Sequence, residues 1–151
     1  MRVAVRAVVI KDDKLLVMHR NKFGEEYDTL PGGSIEIGET PDQALVRELR
    51  EETMLEIESA RLIIIEHAGD PFGDQYIYLC KYLKGEPRLH PDSEEMAINR
   101  LGKNLYQPSW LDMKNLSKTY LVSEDLKQLI IKFYESSNWP KQVVEITTNK
   151  I

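Results

Sequence analysis

Residues Gly32 to Leu55 read GGSIEIGETPDQALVRELREETML. The stretch opens on glycines behind Pro31 and closes on an acidic run carrying Glu48, Glu51 and Glu52. Between them lies a helix start. Thr40 is a good N-cap, Pro41 suits the first helical position, and Gln43 completes a T-x-x-Q capping box. Leu45 and Leu49 supply an apolar stripe for a core. The pattern predicts a helix from Thr40 to about Leu55. On that helix Glu48, Glu51 and Glu52 share one face, because positions i, i+3 and i+4 are neighbours. Carboxylates this close repel one another unless cations compensate them. Arg47 and Arg50 are one source of compensation, and divalent cations are the other, since carboxylate oxygens are hard ligands suited to Mg²⁺. A bare RELREE reads as a solvated, salt-bridged face. Such a face needs no glycine-rich loop ahead of it.

The flanks extend the reading. Val3 to Ile10 is β-branched and apolar, KDDK turns, and LLVMHR resumes, which is a β-hairpin pattern with Arg20 near the end of its second strand. NKFGEEYD reads as a polar loop. Arg61 to Glu66 and Gln75 to Leu83 read as strands joined by the turn-rich HAGDPFGD. GEPRLHPDSEE reads as a long loop, and Met96 to Leu101 as a short strand. Ser123 caps a closing helix whose apolar positions Leu126, Leu129, Ile130, Phe133 and Tyr134 form one buried face. The expected organisation is a domain over residues 1–136 and a loosely ordered tail over 137–151. Strands alternating with two helices imply an α/β sandwich with a mixed central sheet.

The 151 residues fit one domain, and 42% hydrophobic with 30% charged residues fits a globular chain. A net charge of −5 argues against broad nucleic-acid binding, which rests on many cation–phosphate contacts. The single Cys80 has no partner for an internal disulfide and reads as a buried structural thiol. No apolar run reaches membrane-spanning length, and the first residues read as a strand broken by Arg6, not as a signal. The expectation is a cytoplasmic protein without a membrane partner.

The stretch resembles the signature of the Nudix hydrolases: Gly33, five residues, Glu39, seven residues, then Arg47, Glu48, Leu49, Glu51, Glu52 and Leu55, led in by Pro31 and Gly32. Met54 stands where that signature closes on glycine, which leaves the helix exit to be decided. The resemblance implies a Nudix-type α/β/α sandwich with a catalytic loop-helix and a C-terminal packing helix. It implies hydrolysis of a nucleoside diphosphate linked to another group, with Mg²⁺ or Mn²⁺ held by Glu48, Glu51 and Glu52 and approached by the Gly33 backbone. It further implies that Arg47 pairs with Glu39 to brace loop against helix, that Gly32 and Gly33 admit the phosphates, and that Arg20 contacts a phosphate. Glu52 is the first candidate for the proton acceptor, and Glu94 or Glu95 for an added base or ligand from a later loop. Tyr27, Phe72 and Trp110 are candidate base-stacking rings. Relatives are often dimers, so a homodimer belongs among the expectations.

The compact chain resembles the MutT-like branch, which converts a (d)NTP to a monophosphate and pyrophosphate. Pro71, 16 residues beyond Leu55, instead resembles a position found in some ADP-ribose pyrophosphatases, so hydrolysis of ADP-ribose or a nucleotide sugar is the alternative. Capped-RNA 5′ ends are a third possibility, although no cationic run suggests an RNA track, and a catalytically silent nucleotide-binding module is a reading of a different class. Such modules commonly lose the signature's glutamates, and all are present here.

Overall fold

The computed structural model describes residues 2–148; residue 1 and residues 149–151 of the expected tail lie outside the described residues. In chain order the elements are β1 (Val3–Lys11), β2 (Lys14–Lys22), β3 (Glu25–Thr29), β4 (Gly32–Ser34), α1 (Pro41–Thr53), β5 (Glu56–His67), β6 (Asp74–Lys84), α2 (Glu94–Asn99), β7 (Asn104–Asp112), a 3₁₀ helix (Met113–Lys118), α3 (Glu124–Ser136) and β8 (Val144–Thr147).

The first hairpin turns on Asp12 and Asp13, both at positive φ (50° and 60°), which suits the right-handed twist of the strands it joins. β1 and β2 pair only beside that turn, at Ile10↔Leu15 and Lys11↔Lys14. Beyond it they part. β1 takes β6 in parallel on one side and the short β4 on the other, while β2 takes β3 and β7. The path runs β3-β2-β1-β6-β5-β8, with β4 on β1 and β7 on β2. Parallel β1–β6 and β5–β8 pairs among antiparallel ones make the sheet mixed. The opening between β1 and β2 is where the site forms.

Alternation along β1 divides the core between two faces. Val5, Ala7 and Val9 pack with Leu45, Leu49 and Leu55 under α1. Val8 packs with Ile63, Ile77, Leu126 and Ile130 under α3. The helices thus cover opposite faces, as an α/β sandwich requires.

Several expectations are corrected. NKFGEEYD is no plain loop: Phe23 and Gly24 turn at positive φ (53° and 94°), and β3 follows as a charged edge strand, a composition that discourages unwanted edge pairing. Met96 to Leu101 is no strand. Ser93 accepts the Met96 N–H at 3.1 Å and starts α2, so cap chemistry outweighs the apolar residues. β7 is a strand that the sequence reading does not include, and Pro108 lies within it. The proline is accommodated because β7 pairs with β2 alone, leaving one side where no donor is needed. The tail is not loose, since Val144–Thr147 adds a strand to β5. Cys80 is buried, which pushes its thiol up to about 12.

Candidate active site

The capping box forms as read, with Thr40 Oγ1 accepting the Gln43 N–H at 3.2 Å and Gln43 Oε1 accepting the Thr40 N–H at 2.9 Å. It aims α1 so that its acidic side meets the loop of Gly32 and Gly33. Gly32 sits at φ +148°, and a Cβ there would lie 1.9 Å from the Val5 carbonyl oxygen. Only glycine lets this loop lie against β1. Its N–H donates to Glu52 Oε2 at 3.0 Å. A Cβ on Gly33 would fall 2.5 Å from Glu48 Oε1, so the missing side chain leaves a cradle for that carboxylate.

Arg47 is the brace. It donates twice to Glu39, from Nε at 2.7 Å and from its guanidinium at 3.0 Å. The same guanidinium reaches Glu48 at 2.9 Å, Glu51 at 3.3 Å and the Ser34 carbonyl at 3.2 Å. The bidentate pair gives a fixed geometry that a lysine would not reproduce. The bond to Glu39 is the main reason the Arg47 pKa is raised, and the Glu39 carboxyl is correspondingly lowered.

Two of the expected carboxylates meet, together with Glu95. One oxygen each of Glu48, Glu52 and Glu95 lie within 4.8 Å of one another. Glu51 lies outside that cluster, on Arg47 and half-exposed. Glu94 lines the cleft, exposed at the start of α2. Glu95 arrives because the loop before it is pinned to the end of α1: Arg88 N–H donates to the Thr53 carbonyl at 3.0 Å and His90 N–H to the Glu51 carbonyl at 2.9 Å. Those carbonyls are helix-end acceptors with no intrahelical donor. Satisfying them carries α2 to the site. Met54 ends the helix at φ 59°, ψ 18°, so it adopts the left-handed exit itself. Gly85 packs against that exit, where a Cβ would lie 2.6 Å from the Met54 carbonyl oxygen.

Burial, then Glu48, pushes the Glu52 carboxyl up to about 8, against the opposing pull of Arg6 and the Gly32 N–H. Glu48 and Glu95 are raised chiefly by burial. Glu95 Oε2 is buried and takes no hydrogen bond among the described residues, an orphan that calls for a partner. The glycine cradle, the orphan oxygen and an all-carboxylate donor set fit a hard divalent cation.

Around the cluster is a cleft of about 810 Å³. Arg20 sits in it at the centre of a cross-strand row, opposite Tyr27 on β3 and Tyr106 on β7. Its guanidinium stacks 3.6 Å from the Tyr106 ring centroid and bonds Asn104. Tyr27 and Phe72 line the cleft, whereas Trp110 packs edge-on to Tyr82 at 5.8 Å in the α1-side core. The sequence reading missed Arg6 and Tyr106. Arg6 donates to Gln75 Oε1 at 3.0 Å and the Leu30 carbonyl at 3.2 Å, close behind Glu52. A charged residue midway along an otherwise apolar strand was the available signal. No histidine joins the cluster: His19 bridges Asp28 and Glu26, and His67 bridges Asp74 and Glu145.

The NUDIX domain family matches residues 1–129 of this chain. The chain belongs to that family. It is a Nudix hydrolase, and its signature is the loop-helix just described. It is 34% identical over 128 residues to the ADP-ribose pyrophosphatase of Methanocaldococcus jannaschii, covering 79% of this chain and 72% of that one. It is 33% identical over 93 residues to the 8-oxo-dGTP diphosphatase of Escherichia coli, covering 58% and 70%. The fold is similar to the crystal structure of an ADP-ribose pyrophosphatase from Streptococcus suis, with TM-score 0.67, 19% identity and coverage of 96% and 98%. The chain spans about a third of the length of other curated relatives. Among the described residues, no helix is long and apolar enough to cross a membrane.

Proposed function

We propose that this Nudix hydrolase cleaves the diphosphate of a nucleoside diphosphate linked to a sugar, with ADP-ribose as the representative substrate, in the presence of Mg²⁺ or Mn²⁺. The observation that carries the hydrolytic site is the convergence of Glu48, Glu52 and Glu95, with the orphan oxygen of Glu95, beside the Gly33 cradle. The archaeal ADP-ribose pyrophosphatase, matched over more of this chain than the 8-oxo-dGTP enzyme, supports the sugar-linked substrate. The matched length of the latter supports a second reading, hydrolysis of a (d)NTP to a monophosphate and pyrophosphate.

Glu48, Glu52 and Glu95 would hold the metal, with the Gly33 backbone alongside. A divalent cation bound there supplies positive charge against the diphosphate and acidity to water. The chain's own groups do the rest. Gly32 holds one oxygen of Glu52 in place, so that the carboxylate is oriented to accept the proton of the attacking water. The water oxygen bonds to phosphorus, the bridging P–O bond breaks, and the two halves leave as phosphate monoesters. Arg47 keeps Glu48 and the loop in register, and Arg20 faces the phosphates from the opposite wall. Glu51 serves through Arg47. The C-terminal tail is proposed as part of the same domain.

The test is a panel of ADP-ribose, nucleotide sugars and canonical and 8-oxo (d)NTPs with Mg²⁺ and then Mn²⁺, with products separated by chromatography. AMP plus ribose 5-phosphate supports the first reading. Monophosphate plus pyrophosphate supports the second. No turnover of any compound, with a ligand still raising the melting temperature, overturns both in favour of a silent binding module.

A further inference from the structure

The family match ends at residue 129, yet the chain beyond it returns to the sheet and pairs with β5. β8 runs parallel to β5 from Ile64↔Val144 to His67↔Thr147, and the Thr148 N–H donates to the His67 carbonyl at 2.9 Å. Two side-chain ties accompany the strand. His67 Nε2 meets Glu145 Oε1 at 2.9 Å, and Thr148 Oγ1 donates to Glu66 Oε2 at 3.0 Å. Glu66 is fully buried and Thr148 nearly so. A strand that merely covered a sheet edge would not need to reach a carboxylate in the interior.

That carboxylate is a junction. The same oxygen accepts the Ser123 hydroxyl at 2.5 Å. Ser123 caps α3, and its neighbours Val122 and Leu126 line the cleft. Across the β5–β6 pair Glu66 stands opposite Gln75. Gln75 accepts from Arg6 and donates to the Phe72 carbonyl at 2.7 Å, and Phe72 is also at the cleft. Removing a donor from a buried carboxyl group weakens a hydrogen-bonded junction, and the segments it holds together are then less firmly placed. The groups positioned to move are the cap of α3 and the loop of Phe72.

We propose that the C-terminal strand is a positioning element of the active site: Thr148, acting through Glu66, holds the wall formed by Val122, Leu126 and Phe72 against the part of the substrate that does not react. This rests on the hydrolase reading above. None of these groups belongs to the carboxylate cluster, so their loss weakens substrate binding and spares the chemical step.

Thr148→Val deletes the hydroxyl at nearly constant volume, and Thr148→Ser retains it. The valine variant is expected to raise KM roughly tenfold, the equivalent of one hydrogen bond. Its kcat and half-saturating Mg²⁺ concentration stay at the wild-type values, and serine restores KM. A merely structural role would lower the folded fraction and reduce kcat without moving KM. Hydrogen exchange of the unliganded protein tests the coupling without any substrate. The amides of residues 122–126 and 72–75 exchange faster in Thr148→Val and at the wild-type rate in Thr148→Ser. Unchanged exchange in the valine variant overturns the proposal, as does an unchanged KM. If the wild type turns over nothing, the hydrolase reading fails on its own, and the exchange result still decides whether the tail holds the wall.

Discussion

Glu52 is held by one backbone donor and pressed by burial and by Glu48. Its ionisation therefore opposes folding when no cation is bound. The unfolded carboxyl ionises near 4.5 and the folded one near 8. The penalty is absent below pH 4.5, grows between those values and is complete above pH 8, on the order of a few kcal/mol. His19 and His67 act in the same direction. Their carboxylate partners raise them against desolvation, so the stability they add is full below pH 6.5 and lost as pH rises through their folded values. Glu52→Gln separates the contributions. In metal-free protein we expect the variant to melt higher than wild type at pH 8 and equally at pH 4, while its kcat falls about 10²–10⁴-fold, the usual worth of a positioned proton acceptor. Scanning calorimetry at both pH values and steady-state assays check this, and a near-normal rate would remove Glu52 from the mechanism. The two glycines make a second contrast. Gly33→Ala meets the far end of Glu48, which can swing away, so activity should fall at least tenfold with the fold kept. Gly32→Ala meets the backbone of β1 at 1.9 Å, so the melting temperature itself should drop.

Helix α1 is assembled from both ends. Its start is local, a capping box and a proline, whereas its end depends on the loop that lends the N–H groups of Arg88 and His90. Met54 occupies the left-handed exit at φ 59°, a conformation that costs a residue with a Cβ roughly 1–2 kcal/mol. Met54→Gly is expected to stabilise the fold by about 0.5–1 kcal/mol after allowing for glycine's greater freedom when unfolded. Urea unfolding at constant m-value measures it. A loss of stability would mean that the methionine side chain contributes more by packing than its backbone loses. Inside the helix, Leu49→Ala should cost about 2–5 kcal/mol, because the residue is 1% exposed and its removal leaves a cavity between α1 and the sheet.

At the scale of the molecule, the site joins pieces from β1, β4, α1 and α2, and its carboxylates lie close enough that a bound cation would relieve their repulsion. Binding should therefore stabilise the whole domain. Mg²⁺ at 100 times its Kd adds about 2.7 kcal/mol, or roughly 5–10 °C in melting temperature for a chain of this size. EDTA should reverse the gain, and Glu95→Gln should remove most of it while Glu94→Gln leaves it intact. Equal effects of the two substitutions in a thermal-shift titration would dissolve the distinction drawn from the geometry.

Local chemistry carries what was legible in the chain alone. The Thr40–Gln43 box, the Ser123 cap, the first hairpin and the spacing of Gly33, Glu39, Arg47, Glu48 and Glu52 are each set within a few residues, by hydrogen bonds to near neighbours and by helical periodicity. From these the family and the loop-helix followed. What remained depends on residues far apart in sequence that burial brings together. Nothing near Glu95 distinguishes it from Glu94; the cross-connection from Arg88 and His90 to α1 does. Arg6 was only an interruption in a strand until the parting of β1 from β2 placed it behind Glu52. Pro108 and the polar tail weakened the local signals for β7 and β8. Those strands exist because β2 and β5 offer them backbone edges, and the position of those edges is set by the rest of the sheet.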